Sequence, residues 1–298
     1  MCQIKSCHTR RSFIEQTQQT AETTNMSEEA TGKWHRYYDK GFLPWDSGKP
    51  ASQLVEFVEN TFLPAWEAAT AATAATAATT TETTGEQAPT ASSSSDGAAT
   101  AARRRPRAIE IGCGTGASCV YLAQQGFVVT GVDLVADAVA AAKERAEHAG
   151  VSDCCTFLVA DAFQLPWAAE AHTDSEYEQQ QQQQQQPQQE EATGDAAVTP
   201  HSYDLVYDCQ TFHVLRQIDE RGIVAVYKRL LRPGGYMFTL TGNADEPEVG
   251  PSVLTREELC RAFADFEQVS VQPSRFDMTP TYASLSQPPL AWCGIFRA

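Results

Sequence analysis

Three short stretches hold side chains whose types and spacing suit the binding of a polar, ribose-bearing ligand. The first is Glu110-Ile111-Gly112-Cys113-Gly114-Thr115-Gly116, a glycine-rich turn with an acid two positions before its first glycine. Glycines at a strand-to-helix turn let a ligand approach the backbone without a Cβ in between. The second is Asp133, closing Gly131-Val132-Asp133-Leu134. It falls about 20 residues after the loop, where doubly wound folds place an acid on ribose hydroxyls. A carboxylate there also repels a ribose phosphate, which disfavours NADP. The third is Asp161-Ala162, directly after Val159-Ala160. By spacing alone, Gly112-x-Gly114-x-x-Ala117 also fits the permissive dinucleotide fingerprint, so an NAD-dependent enzyme stays open at this point. Further along, Tyr207-Asp208-Cys209-Gln210-Thr211-Phe212-His213 offers an acid and an imidazole. With an ordinary pKa near neutrality, His213 suits orienting or deprotonating a nucleophile, or it packs the turn against the next helix. Cys209 reads as packing.

These groups can meet only if the strands that precede them lie side by side. Residues 108–111, 127–132, 156–159, 203–207 and 236–240 are short apolar runs rich in β-branched or aromatic residues, as expected of strands buried on both faces. Between them, 117–125, 136–148 and 219–231 have helical spacing, and Arg232-Pro233-Gly234-Gly235 stops the last helix. Thr255-Arg256-Glu257-Glu258 has the form of a capping box opening a short helix, and apolar segments at 267–271 and 290–296 follow. The pattern predicts an α/β fold: a doubly wound, Rossmann-like, mostly parallel sheet of seven strands, with a C-terminal antiparallel hairpin. In such sheets ligands bind outside the carboxyl ends of the strands, so the glycine loop, Asp133 and Asp161 converge on one crevice.

The chain has 298 residues and a net charge of −16. Its composition is far from uniform. Residues 67–103 are Ala/Thr triplets followed by a Ser/Thr/Gly/Pro run, and residues 168–200 hold a glutamine tract. Neither has the apolar content to offset the entropy of ordering, so both read as disordered inserts, at most transiently helical, as does the polar extension 1–30. What remains is one domain over 31–298, of about 200 residues once the inserts are removed. The second insert carries seven acidic residues and no Lys or Arg, so much of the charge lies away from any site. The acidic balance argues against nucleic acid as a partner. No apolar run is long enough to span a membrane. Nine cysteines at irregular spacings, with no C-x-x-C pair, point to a reducing, cytoplasmic setting and give no metal site. Arg10 and Arg11 allow a transit-peptide reading that Glu15 and Glu22 oppose, and Met26 offers a second start. A monomer is expected.

Together, Glu110 to Gly116, Asp133, Asp161-Ala162 and Leu231-Arg232-Pro233-Gly234-Gly235 resemble the class I S-adenosylmethionine-dependent methyltransferases. The resemblance covers the core from about residue 34 to 297 without the inserts. It implies S-adenosylmethionine as cofactor. Glu110, Gly112, Cys113, Gly114 and Gly116 would lie along its methionine and ribose portions, and Asp133 with Leu134 at the ribose hydroxyls. Asp161 and Ala162 would hold the adenine.

Three further stretches resemble one branch, the thiopurine methyltransferase-like group of thiol, halide and tellurite methyltransferases. The segment from Trp34 through Tyr38 to Trp45-Asp46-Ser47-Gly48 is similar to the aromatic lid of that group. Aromatic faces exclude water and attract a sulfonium cation. Asp208 and His213 fall in a stretch similar to the group's Asp-x-Gly-x-Phe-His pattern, with Gln210 departing from the small residue usual there. The third stretch runs from Gly250 to Leu259, with Arg275-Phe276 and Ala291-Trp292. The resemblance implies a small-molecule acceptor, a thiol or another soft nucleophile, with His213 and Asp208 as catalytic candidates and Trp34, Tyr38 and Trp45 over the cofactor. Against this stands an interaction protein that displays its Gln-rich and Ala/Thr-rich segments on a methyltransferase core.

Overall fold

The computed structural model describes residues 32–81, 104–168, 197–246 and 253–298. The extension 1–30 and most of both expected inserts lie outside the described residues. Along the chain come α1 (32–39), α2 (Ser52–Phe57), a π-helical turn (Val58–Phe62) and α3 (Leu63–Thr81). The alternating core follows: β1 (Arg107–Ile111), α4 (Ala117–Gln124), β2 (Val128–Asp133), α5 (Ala136–His148) and β3 (Cys155–Val159). After the second insert come β4 (Tyr203–Cys209), α6 (Phe212–Leu230), β5 (Leu231–Asn243), β6 (Val253–Leu254), α7 (Arg256–Ala262), β7 (Glu267–Arg275) and β8 (Leu290–Arg297).

The strands form one sheet in the order β3-β2-β1-β4-β5-β8-β7, with the two-residue β6 beside the end of β5. The first five run parallel. β8 turns back antiparallel between β5 and β7. This is the expected doubly wound sheet with its C-terminal hairpin, enlarged by β6. Helices cover both faces, which is why β1 and β4 are buried almost end to end. Leu54, Phe57, Phe62, Leu122 and Val139 pack one face, and Phe212, Ile223, Tyr227, Leu259 and Phe263 the other. No helix among the described residues is long and apolar enough to cross a membrane.

Four local outcomes differ from the sequence reading. α3 runs on through the Ala/Thr triplets to Thr81, where an insert was expected from residue 67. Alanine has the highest helix propensity, and the helix extends one already anchored by Phe62 and Trp66, stacked at 6.1 Å. The second insert ends earlier than residue 200. Val198 is fully buried and bridges Trp167, so the chain returns to the core there. Helix α6 begins at Phe212 rather than Asp219, with Asp219 at a non-helical φ of −152° inside it. Its opening turn is held by the Asp208 carboxylate, a partner on the preceding strand that helical periodicity cannot register.

Strand β5 also starts before the expected residue 236. Leu231 pairs with Tyr203 and Tyr236 with Leu205, so Arg232-Pro233-Gly234-Gly235 is a bulge that ends α6 and turns directly into the sheet. The Thr255 capping box forms as expected.

Candidate active site

The strand order reverses between β1 and β4, and there the carboxyl ends of β1 to β4 open into a cleft of about 250 Å³. The glycine loop forms its floor. Gly112 has a φ of +72°, and a Cβ there would overlap Thr211 Oγ1, so the loop can lie against the β4–α6 turn only because residue 112 has no side chain. The Gly112 and Cys113 amides both donate to Val132 O, at 2.8 and 2.9 Å. Asp133, at the end of β2, accepts from Gly114 N at 2.8 Å and from Val135 N at 2.9 Å. One carboxylate thereby fixes the glycine loop and opens α5. Burial raises its pKa.

Glu110, Gly112, Cys113, Gly114, Asp133, Leu134, Asp161 and Ala162 all line this cleft, as do Trp34, Tyr38 and Trp45. Gly116 does not. Its Cα faces Ala142, where a Cβ would come within 2.7 Å of the Ala142 Cβ, so it lets α4 pack onto α5. Glu110 is 4 % exposed and accepts from Cys119 Sγ at 3.0 Å. Burial pushes its pKa up to about 8, so its carboxyl holds its proton at neutrality unless a cation arrives. Asp161 Oδ1 accepts from Phe163 N at 2.9 Å and shapes the turn after β3.

The two catalytic candidates separate. His213 lines the cleft at the β4–α6 end, its Nδ1 3.3 Å from Thr241 Oγ1. Burial, with Lys33 adding to it, lowers its pKa to about 3, so it is a neutral imidazole throughout the physiological range. Asp208 is fully buried and does not line the cleft. Its Oδ1 accepts from Thr211 N and Phe212 N, and its Oδ2 accepts from the Tyr227 hydroxyl. It is therefore a positioning group for the turn that carries Gln210 and His213. Burial raises the Cys209 thiol far above its ordinary pKa, as a packing role requires.

The aromatic segment covers the cleft. Trp45 packs edge-on against Trp34 at 5.1 Å and Tyr37 at 5.2 Å, with Tyr38 tilted at 6.2 Å. Four ties hold this lid loop, and they were not legible in the sequence. Thr115 Oγ1 donates to Asp46 Oδ2 at 2.7 Å, and Thr279 Oγ1 donates to Pro44 O at 2.9 Å. Arg145 donates to both Thr115 O and Gly48 O, at 2.8 and 3.1 Å. Gln210 Nε2 donates to Trp45 O at 3.4 Å. Arg145 lies in the charged run Lys143-Glu144-Arg145-Ala146-Glu147 at the end of α5 and Thr279 is 235 positions from Pro44, so no local pattern marks either. The one available signal was the Asp46-Ser47-Gly48 turn, in which Asp46 accepts from Gly48 N at 2.6 Å.

Residues 108–178 match the family model of a methyltransferase domain. The chain is 23 % identical to a probable thiol methyltransferase 2 of Arabidopsis thaliana over 263 residues, 86 % of this chain and 82 % of the relative. A shorter match to a putative methyltransferase of Geobacillus is 51 % identical over 41 residues, 14 % of this chain and 17 % of that one. The fold resembles the structure described for conversion of a disulfide bond into a thioacetal group during echinomycin biosynthesis. That likeness has a TM-score of 0.53 at 18 % identity and covers 88 % of each chain. The matched segment holds the glycine loop, Asp133 and Asp161, which decides between the two readings the loop spacing left open. Residues 108–178 therefore form a methyltransferase domain, and the chain is similar to the class I S-adenosylmethionine-dependent methyltransferases.

Proposed function

We propose that the chain methylates a small-molecule thiol, or a comparably soft nucleophile, at the end of the cleft formed by His213, Gln210 and Phe276. One observation carries this reading. Among the described residues lining that end, none is set up to take a proton near neutral pH. His213 stays neutral down to a pH of about 3, Asp208 faces away, and Asp277 accepts from the Ser52 amide and hydroxyl at 2.8 and 2.7 Å. A hydroxyl or ammonium acceptor needs such a base, whereas a thiol with an ordinary pKa of about 8.5 ionises by itself. The thiol methyltransferase relative supports the same reading.

When bound, S-adenosylmethionine supplies a methyl group on a positively charged sulfur. The residues present fit it. Asp133 and Asp161 are placed to accept hydroxyl and amine hydrogens, and Glu110 to face an ammonium. Trp34, Tyr38 and Trp45 close off water and present π-faces to a cation. His213 and Gln210 orient the acceptor, and alignment in a dry cleft does most of the remaining work.

Two outcomes follow. The rise of kcat/KM with pH is expected to track the ionisation of the acceptor thiol, with no inflection near 6.5. A profile with a limb at 6.5 that disappears in His213→Gln would assign base catalysis to the histidine and overturn this account. Cofactor binding at pH 7 is expected to release most of one proton, since an ammonium beside Glu110 favours its ionised form. Calorimetry in buffers of different ionisation enthalpy measures that proton. Glu110→Gln is expected to remove the buffer dependence, and a binding enthalpy equal in all buffers for the native protein refutes the role of Glu110.

Glu110 also makes a pH-dependent contribution to stability, and its sign follows from the shift. The raised pKa of Glu110 means that the folded state holds a proton which the unfolded chain, at 4.5, has already lost. The contribution of Glu110 to stability without cofactor therefore falls as pH rises from 4.5 to about 8 and levels off above, while the lowered pKa of His213 acts the other way between about 3 and 6.5.

A further inference from the structure

Two non-glycine residues among those described have a left-handed backbone, His201 at a φ of 49° and Gln210 at 62°. Gln210 is the one that lines the cleft. Its conformation is imposed from both sides. The Gln210 amide donates to Leu240 O at 2.9 Å, and the next two amides, of Thr211 and Phe212, are held by Asp208 at 3.3 and 2.9 Å. Glycine would sit in this turn without strain, and a long amide side chain would not. The backbone gains nothing from glutamine here, so the reason for it lies in the side chain.

That side chain crosses from the β4–α6 turn to the lid, where Nε2 donates to the Trp45 carbonyl. Trp45 is the ring against which Trp34, Tyr37 and Tyr38 all pack, so a tie to its backbone fixes the aromatic cluster. Gln210 also lines the cleft together with His213 and Phe276, at the end proposed above for the acceptor. We propose that Gln210 is a brace between turn and lid that both holds the lid closed and limits the size of the acceptor. The size limit rests on the thiol reading above, whereas the brace does not.

The test compares the native protein with Gln210→Gly and Gln210→Ala. Glycine removes both strain and brace, and alanine removes the brace alone. Release of S-adenosylhomocysteine, followed by stopped flow on the lid tryptophans, is expected to be about fivefold faster in both variants, the equivalent of one neutral hydrogen bond. Gln210→Gly is expected to melt at or above the native temperature, so faster release cannot be ascribed to a damaged fold. Across small alkyl, phenyl and naphthyl thiols, the kcat/KM of the largest relative to the smallest is expected to rise about tenfold or more in both variants. Release within twofold of native in both variants overturns the brace. Faster release with an unchanged size ratio overturns the size limit. Faster release with no thiol methylated by any of the three proteins leaves the brace standing and overturns the thiol reading.

Discussion

Replacing Asp133 with alanine is expected to weaken S-adenosylmethionine binding by roughly 10- to 100-fold, the largest loss of affinity from any single side chain in the cleft. Two losses combine. The ligand hydroxyls proposed to donate to the carboxylate are left without a partner. The amides of Gly114 and Val135, now held at 2.8 and 2.9 Å, are also released, so the glycine loop loses the bond that fixes it. Asp133→Asn is expected to fall between, because its amide keeps one acceptor and turns a donor towards the other partner. Titration calorimetry with the cofactor and with S-adenosylhomocysteine measures both variants. An affinity for Asp133→Ala within twofold of native would remove this acid from the binding site.

The largest effect on stability is expected from Asp208→Ala, a loss of about 2–4 kcal/mol. The carboxylate is fully buried and has three donors, the Tyr227 hydroxyl and the amides of Thr211 and Phe212. Alanine leaves all three inside the protein with no acceptor, and an unsatisfied buried donor costs more than its bond contributes. In a domain of this size the midpoint of thermal unfolding should fall by about 5–15 °C. Methyl transfer should fall as well, since the turn presenting Gln210 and His213 loses its anchor. Tyr227→Phe supplies the control. It removes one donor and leaves the turn amides held, so it should lower stability while sparing the acceptor KM. If Asp208→Ala lowered kcat with an unchanged melting temperature, the residue would be acting on substrate and the positioning role would fail.

The reading of Asp208 shows where sequence and structure part. Its place two residues after Leu205-Val206 and five before His213 marks a chemically rich turn, and that much is local. Which way the carboxylate points depends on Tyr227, towards the far end of α6, and on the register of β4 against β5. The lid behaves alike. Trp34, Tyr38 and Trp45 are conspicuous by type, but their closure depends on Thr115, Arg145, Gln210 and Thr279, drawn from four separate parts of the fold.

The sequence by itself determined the alternation of strands and helices, because burial on two faces and helical amphipathicity are periodic along the chain. It determined the glycine loop, Asp133 and Asp161 as well. Each closes or directly follows a parallel strand, and parallel strands bring their carboxyl ends to one edge whatever the packing details. It also assigned seven acidic residues, close to half of the net charge of −16, to the segment 168–200. Only the tertiary structure decided the protonation of Glu110, the neutrality of His213, the burial of Asp208 and the bracing of the lid by Gln210. The physical reason is the same in each case. Desolvation and hydrogen-bond direction are set by atoms distant in the chain, and no spacing rule within one segment carries that information.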